Sequence, residues 1–453
     1  MATHPSNGHP ASPGITRISV TGFKSLVGKT EVEIRPLTVL AGANSSGKSS
    51  LMQPLLLMKQ TLESDVNPAG PFRLSGPYTS YTESRQFLSL IGSEIETRPH
   101  LRVDFEFGRM TAGFTFAPDP SGSFAVIATR GSQAGAGMRR PWEIRSDSSP
   151  EDLRLLDLPW EMVHSAVGLA EYRVIPYKYF LGIQASLSSV ASYSKSQGYE
   201  LWETLALNAE IRKLIHVPGL RGDQNRKWLL ANVPAAQPFA VNTFEGPFEG
   251  YVPSLIHSWQ DSPDRLKITQ LNADLGSLDL AYAVRAERLN ESEIEVHVPR
   301  TAKSEIGDYV NIADVGLAVS AALPVLVALI QAESEQLVYI EQPELHLHPR
   351  AQWKLAQLLV QAANRGVRLV IETHSALLLR GILTCVGKGE ISPGNVALHW
   401  FARNESGVTK VTTAEIDTQG RFGDWPVDFD DVELTASSDY LDAVESTLTA
   451  NRP

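Results

Sequence analysis

Cysteine is nearly absent from the sequence, because Cys385 is the only one among 453 residues. A single thiol excludes an internal disulfide bond and a thiolate zinc site, and it favours a reducing, cytoplasmic location. Long hydrophobic runs are missing too, since no stretch of 18 apolar residues occurs, so we expect no membrane span. Heptads and internal repeats are also lacking, which argues against a long coiled-coil arm.

Positive charge is in deficit as well, because 40 Lys and Arg against 51 Asp and Glu give a net charge of −11. This balance excludes a protein whose whole surface coats nucleic acid, but it leaves a local basic groove open. The composition, with 43% hydrophobic and 20% charged residues, is typical of a folded protein with two or three domains. Residues 1–14 are rich in Pro, Ser, His and Gly without an apolar core, so we predict a disordered tail and no signal peptide.

Hydrophobic alternation predicts strands in the first part of the chain. Residues 15–34 alternate like two antiparallel strands, and residues 37–40 follow as a short apolar strand. Alternation within residues 101–128 predicts a small antiparallel sheet. Residues 150–215 have a mainly helical pattern, and strand-like alternation returns over residues 281–298.

The last part of the chain alternates between apolar helices and apolar strands. The sequence predicts an apolar helix over 313–332, a buried strand over 336–340, an amphipathic helix over 352–363 and a second buried strand over 367–371. Such alternation is typical of a parallel sheet covered by helices. The predicted fold class is therefore α/β, a mixed sheet with flanking helices.

Residues 42–49 match the phosphate-binding pattern G-x-x-x-x-G-K-[ST], with a predicted strand before them and a predicted helix after them. Glycines let backbone N–H groups turn towards phosphate oxygens, and a helix N-terminus adds positive potential. Lys48 would place its charge between the outer phosphates, and the Ser49 hydroxyl would be a ligand for Mg²⁺. We therefore expect ATP and Mg²⁺ as cofactors. The residues predicted to hold the nucleotide are Gly42, Ala43, Asn44, Ser45, Ser46, Gly47, Lys48, Ser49 and Ser50.

An acidic motif follows the apolar residues 337–340, where Glu341 ends a predicted buried strand. A carboxylate in that place is the Walker B arrangement, in which the acid holds Mg²⁺ through water. Taken alone, the pattern is also typical of an acidic turn after any strand. The next apolar strand ends close to His374, and a helical segment containing Ser320 comes before both.

This ordered set of motifs resembles the ABC-type ATPases of the RecF, SMC and OLD group. Residues 341–349, Glu-Gln-Pro-Glu-Leu-His-Leu-His-Pro, are similar to the E-x-P-E-x-H-L-H-P form of the OLD-like branch. The opening Ile-Ser-Val-Thr-Gly-Phe-Lys-Ser at 18–25 is similar to the start of that branch. The sequence is thus most similar to stand-alone OLD-like AAA/ABC ATPases without a Toprim domain, of the kind found in antiphage defence systems.

The resemblance implies a division of the chain. Residues 15–61 would form the N-terminal part of an ABC ATPase head, and residues 306–433 its C-terminal part. Residues 62–305, where the resemblance is weak, would supply the remaining head strands and a large mixed α+β insertion with a helical lid. Residues 434–453 would be a C-terminal helix or tail.

The resemblance also implies a nucleotide site shared between two chains. Ser320, on a signature loop shaped by Gly316, would contact the γ-phosphate of ATP held by another subunit. A homodimer or higher homo-oligomer would therefore close on ATP. His374 would contact the γ-phosphate from the same subunit, and Glu341 would bind Mg²⁺ together with Ser49.

The sequence departs from the family pattern at two places. Gln342 stands where the family has its catalytic glutamate, and a neutral amide can orient water but cannot accept its proton. Glu344 is the other candidate base, so we expect slow hydrolysis with ATP occupancy as the main signal. In the signature, Ala318 and Ala321 replace a glycine and a glutamine, which makes close backbone approach harder.

Three functions remain as alternatives. The first is an ATP-gated sensor or scaffold that controls a separate effector protein, in antiphage defence. The second is a DNA-binding repair or maintenance ATPase of the RecF kind, for which the basic residues near Trp142 and near Trp228 would contact phosphates. The third, a nuclease within the chain, is disfavoured because too few residues follow His374 for a Toprim domain.

Two further clusters allow a metal interpretation, and we favour a different one for each. His346 and His348 lie two residues apart, for which structural or interface roles are preferred over metal ligation. Asp428, Asp430 and Asp431 are interpreted as a solvated tail, because a two-metal nuclease needs more carboxylates on a sheet framework.

Overall fold

The computed structural model describes residues 14–65, 70–83, 86, 88, 100–118, 124–134, 139–154, 156, 170–187, 196–199, 201–221, 225–233, 242–301 and 308–423. Its strands are β1 (Ile15–Thr21), β2 (Thr30–Glu33), β3 (Leu37–Gly42), β4 (Leu101–Phe107), β5 (Met110–Pro118), β6 (Phe124–Gln133), β7 (Arg139–Arg145), β8 (Ala170–Tyr177), β9 (Phe180–Leu187), β10 (Ser196–Tyr199), β11 (Ile215–Val217), β12 (Trp228–Leu229), β13 (Arg285–Arg288), β14 (Glu293–Pro299), β15 (Tyr309–Asn311), β16 (Leu337–Glu341), β17 (Arg368–Thr373), β18 (Val396–Arg403) and β19 (Thr409–Ala414). Its α-helices are α1 (Lys48–Leu62), α2 (Pro150–Arg154), α3 (Trp202–Lys213), α4 (Val252–Asp261), α5 (Leu266–Ser277), α6 (Leu317–Gln331), α7 (Pro349–Asn364) and α8 (Ala376–Gly387). The predicted tails and the acidic cluster Asp428, Asp430 and Asp431 lie outside the described residues.

The strand that leads into the phosphate loop lies inside a six-stranded sheet with the order β11-β16-β17-β3-β18-β19. All neighbours pair in parallel except β18 and β19, which are antiparallel. Every residue of β3 is buried, as its apolar run predicts for a strand covered on both faces. The α/β fold class predicted from the sequence is confirmed.

An antiparallel sheet with the order β2-β1-β4-β5-β6-β7 confirms the strands predicted before residue 128. Helix α1 packs its apolar residues against both six-stranded sheets. Because α1 is buried on almost all sides, its sequence shows a continuous apolar run and not a single stripe. Lys59 in this helix is buried as well, and its charge is compensated by Glu63 at 2.8 Å.

The other face of the parallel sheet is covered by α4 to α8. Strand β3 contributes to both cores, since Leu37 and Val39 belong to this one and Leu40 to the core around α1. A small antiparallel sheet of β12, β13, β14 and β15 adjoins α4, and it confirms the strands predicted within residues 281–298. No helix of the described ranges combines the length and the apolar character that a membrane crossing needs.

Two predicted helices begin elsewhere than expected. Helix α6 begins at Leu317, because the Asn311 side chain accepts a hydrogen bond from the Ala313 N–H at 3.0 Å and closes a 3₁₀ turn before the helix. Helix α7 begins at Pro349, where His348 Nδ1 accepts from the backbone N–H of Arg350 at 3.3 Å and caps the first turn. His348 therefore has a structural contact at the start of α7.

The mainly helical structure predicted for residues 150–215 is wrong for residues 170–187 and 196–199, whereas α2 and α3 lie within the same range. Strands β8 and β9 form an antiparallel hairpin there, and β10 pairs with β9. The hairpin turn contains Lys178 in the left-handed region with φ 49°. Phe180 and Ile183 bury their side chains in the core around α1. Aromatic and β-branched residues favour strands, and this packing outweighs local helix propensity.

Candidate functional site

The phosphate loop connects β3 directly to α1, and glycine is required at both of its ends. Gly42 has φ 144°, and a Cβ there would lie 2.2 Å from the carbonyl oxygen of Phe401. Gly47 has φ 104°, and a Cβ there would lie 2.5 Å from Thr409 Oγ1. The same Thr409 hydroxyl is 2.7 Å from the carbonyl of Ser46 and donates to it. The loop is thus held from behind by the start of β19.

Lys48 is buried inside this loop and points back along it. Its Nζ donates to the carbonyls of Gly42 at 2.9 Å and Ala43 at 2.8 Å. Burial lowers the pKa of Lys48, and the carboxylates of Glu372 and Glu344 partly oppose this shift. Helix α1 has no side-chain cap and no acidic residue in its first turn. Its uncapped N–H groups and the lysine together form a site for an anion.

Glu372, at the end of β17, is the carboxylate that contacts Ser49. Ser49 Oγ donates to Glu372 Oε2 at 2.8 Å, and the Tyr339 hydroxyl donates to the other carboxylate oxygen. Glu372 is only 3% exposed, so burial raises its pKa to about 7, and the nearby Glu341 contributes to the increase. Glu372 was not among the site residues predicted from the sequence. A pattern in the sequence could have identified it, because the apolar residues 369–371 are followed directly by an acid, just as the apolar residues 337–340 are.

Glu341 ends β16, where it is the register partner of Glu372 on β17. Its Oε1 lies 3.0 Å from His216 Nε2, and its Oε2 accepts from the backbone N–H of Gly219 at 3.1 Å. Burial alone would raise the pKa of Glu341, but the His216 contact and the Gly219 N–H lower it overall. Both oxygens of Glu341 are therefore engaged on the β11 side of the sheet, whereas Ser49 contacts Glu372.

Gln342 occupies a sharp turn directly after β16. Its φ is 45°, a left-handed value that is uncommon for a residue with a side chain. Its backbone N–H donates to the carbonyl of Glu372 at 2.7 Å. The guanidinium of Arg221 holds the other side of the turn by donating to the carbonyls of Glu341 and Gln342, each at 2.6 Å. Arg221 also donates to the Ala321 carbonyl at 2.8 Å, so it ties this turn to α6.

Glu344 and His374 lie on the loops that follow β16 and β17. Glu344 Oε1 accepts from the Thr373 hydroxyl at 2.8 Å and from the His374 N–H at 3.0 Å. Burial raises the pKa of Glu344. Burial and the charge of Lys48 lower the pKa of His374, whereas a hydrogen bond to the Gly42 carbonyl raises it. The His374 imidazole therefore lies against the phosphate loop of its own chain.

Ser320 lies on the first turn of α6. It lines a cavity together with Asn225, Trp228 and Glu249. Gly316 is the exposed N-cap of α6. The structure thus brings together Lys48, Ser49, Glu341, Gln342, Glu344 and His374 of the predicted residues, and it places Ser320 and Gly316 at the start of α6.

The oxygen donors around Ser49 fit Mg²⁺. A hydroxyl and a carboxylate within hydrogen-bond distance are the hard ligands that this ion prefers, usually with substrate phosphates completing its coordination. The described residues contain no group of three or more His, Cys, Asp or Glu side chains that would hold a metal ion by themselves. A metal at this place would therefore depend on the nucleotide.

Comparison with known families gives a partial match. Residues 187–380 match the family model described as "AAA domain, putative AbiEii toxin, Type IV TA system". This part of the chain is similar to that family. It contains Ser320, Glu341, Glu372 and His374, whereas the phosphate loop precedes it. The ATPase class predicted from the sequence is confirmed at this level. None of the curated proteins matches the chain.

Three solved structures with similarity to this chain are SMC heads. The Smc head bound to the C-winged helix domain of ScpA is 10% identical, with a TM-score of 0.45 over 89% of this chain and 98% of that one. The SMC head domain from Thermotoga maritima is 9% identical, with a TM-score of 0.39 over 89% and 100%. A Pyrococcus furiosus Smc head with an extended coiled coil, bound to the C-terminal domain of ScpA, is 10% identical, with a TM-score of 0.42 over 89% and 96%.

Proposed function

We propose that this chain binds ATP with Mg²⁺ at the phosphate loop and hydrolyses it slowly. The observation that carries the proposal is the anion site formed by buried Lys48 and the uncapped N-terminus of α1. Lys48 would exchange its carbonyl partners for phosphate oxygens, and His374 would face the terminal phosphate. Ser49 and Glu372 would supply oxygen ligands, and a bound Mg²⁺ would neutralise charge that develops on the phosphates.

Slow hydrolysis follows from the residues at the end of β16. Gln342 can orient a water molecule but cannot take its proton. Glu344 would be the alternative base, but its Oε1 already accepts from Thr373 and His374. This carboxylate therefore supports the loop that carries His374. We infer that the protein signals through its ATP-bound state and not through rapid turnover.

We further propose that the site is shared between two copies of the chain. Ser320 is on the first turn of α6, and this helix has an exposed start at Gly316 and Leu317. A second copy that presented this helix end would bring Ser320 to the terminal phosphate and would make ATP the link between subunits. Within one chain, Arg221 links the helix that carries Ser320 to the turn at Gln342, because it donates to carbonyls of both.

The biological role that we propose is a cytoplasmic sensor or scaffold that controls a separate effector in antiphage defence. The words "putative AbiEii toxin, Type IV TA system" in the matching family description accord with such a setting. The basic residues near Trp228 give no support to a DNA-binding role. Arg226 pairs with Asp314, Lys227 lies 3.6 Å from Glu293, and Arg221 is buried.

The nucleotide proposal is tested with Lys48→Ala. We expect it to abolish binding of a fluorescent ATP analogue, because the buried charge at the phosphates is lost. Lys388→Ala, at an exposed lysine just after α8, is the matched control and should bind normally. Tight ATP binding by Lys48→Ala would refute the site.

The shared site is tested with Ser320→Arg, which should leave binding by each chain intact and block ATP-dependent dimerisation. Light scattering after gel filtration, with and without ATP, measures this. Ser277→Arg at the exposed end of α5 is the control. Normal ATP-dependent dimers of Ser320→Arg would rule out a site completed by Ser320. Mass spectrometry of proteins that co-purify with and without ATP would test for the effector.

A further inference from the structure

Resting on the proposed function, we propose that Glu372 is the carboxylate that meets Mg²⁺ together with Ser49, and that Glu341 is a positioning residue for the turn after β16. This assignment differs from the one that the motif at 337–341 suggests. It follows from strand order, from the hydrogen bonds of each carboxylate and from the local charge.

Strand order places Glu372 closer to the phosphate loop. Strand β17 pairs directly with β3, and Glu372 is in register with Leu40, two residues before Gly42. Strand β16 is one strand further away. Neighbouring strands are about 4.8 Å apart, so Glu341 begins from a backbone position that is more distant by that amount. The contact of 2.8 Å between Ser49 Oγ and Glu372 Oε2 agrees with this order.

The hydrogen bonds of the two carboxylates support the same assignment. Glu372 has one oxygen on Ser49, the residue whose hydroxyl is expected at the metal. Glu341 has its two oxygens on His216 Nε2 and on the N–H of Gly219. The backbone at Gly219 is close enough that a Cβ there would lie 3.3 Å from Glu341 Oε2. Glu341 is therefore fixed towards β11, and its carbonyl is held in addition by Arg221.

Local charge gives the third reason. Glu341 and Glu372 are side by side on neighbouring strands, and Glu372 is almost fully buried. A buried carboxylate beside a second acid needs positive charge close by. Lys48 supplies part of it from the phosphate loop, and in the nucleotide complex Lys48 is also shared with phosphates. A divalent cation held by Ser49 and Glu372 would supply the remainder, because these residues offer the oxygen ligands that Mg²⁺ prefers.

The experiment measures how strongly Mg²⁺ improves nucleotide binding. The dissociation constant of a fluorescent ATP analogue is determined in EDTA and in Mg²⁺ for the wild type, Glu372→Gln and Glu341→Gln. We expect Glu372→Gln to lose about tenfold or more of the improvement that Mg²⁺ gives, with unchanged binding in EDTA. Glu341→Gln should keep most of the improvement. Binding in EDTA and circular dichroism show whether each variant is folded.

A direct readout replaces Mg²⁺ by Mn²⁺ and follows the electron paramagnetic resonance of the bound ion in the presence of ATP. Glu372→Gln should weaken Mn²⁺ binding and alter the spectrum, and Glu341→Gln should leave the spectrum close to that of the wild type. Full Mg²⁺ dependence in Glu372→Gln would overturn the proposal, and an equal loss in Glu341→Gln would overturn its positioning role. If the wild type bound no ATP under any condition, the proposed function itself would fail, which is a distinguishable result.

Discussion

The ends of β16 and β17 are alike in sequence and different in their contacts. In each strand an apolar run leads directly to a glutamate, and the two glutamates are neighbours in register. Glu341 is bound from the β11 side, by His216 and the Gly219 N–H, and its pKa is lowered. Glu372 contacts Ser49 and Tyr339, and its pKa is raised. A sequence motif therefore identifies an acid at a strand end, but the neighbouring strands decide what that acid does.

The largest expected effect concerns the support of the β16 end. Arg221→Ala would remove a buried guanidinium that binds the carbonyls of Ala321, Glu341 and Gln342. We expect a loss of about 4 kcal/mol in the free energy of unfolding, measured with urea, because buried acceptors are left without donors. Arg226→Ala, at an exposed ion pair, should cost much less, because solvent screens the pair. Equal losses in the two variants would show that the β16 end does not depend on Arg221.

The pH dependence of stability should separate the two carboxylates. Glu372 has a pKa of about 7 in the folded chain against an ordinary 4.5, so the folded state holds a proton that the unfolded state has lost. Stability in EDTA should therefore fall as the pH rises from below about 4.5 to above about 7, by about 3 kcal/mol in total. Glu372→Gln should remove this loss.

Glu341 should show the opposite sign, because its pKa is lowered in the folded chain. Its contribution is present at neutral pH and is lost as the pH falls below the ordinary value for glutamate. The free energy of unfolding of Glu341→Gln should therefore decrease less at acidic pH than that of the wild type. A variant of either residue that left the pH profile unchanged would contradict the assigned direction of its pKa.

The residues that follow the two glutamates also differ. Gln342 follows Glu341, whereas Thr373 and His374 follow Glu372. Gln342→Glu would place a general base at the turn after β16. We expect steady-state ATP turnover to rise on the order of 100-fold from a wild-type rate below about 10 per second. The control is Gln361→Glu, on an exposed face of α7. Fast turnover by the wild type would refute slow hydrolysis.

The smallest effect should come from Tyr339→Phe, which removes one hydrogen bond from Glu372 and keeps the ring that stacks on His216. We expect a loss of about 1 kcal/mol in the free energy of unfolding. Because Ser49 still contacts Glu372, the Mg²⁺ dependence of nucleotide binding should be retained. Loss of that dependence would show that Tyr339, and not Ser49, orients the carboxylate.

Local patterns in the sequence predicted the α/β alternation after residue 313, the antiparallel strands before residue 128 and the turn between β3 and α1. These features depend on periodicity and on glycine positions within one segment. The role of Glu372 could not be predicted in the same way, because it depends on β17 lying between β16 and β3. The burial of Arg221 could not be predicted either, since its carbonyl partners are about a hundred residues away.

The support of the phosphate loop by Thr409 has a consequence for biosynthesis. Strand β3 is among the first segments of the chain to be made. Its neighbours β17 and β18, and Thr409, which binds the Ser46 carbonyl, follow more than 300 positions later. Pairing over such separations is slow and cannot begin until the distant partners have left the ribosome. Nascent chains halted before residue 409 should not retain ATP, so the nucleotide pocket would be among the last features of this protein to mature.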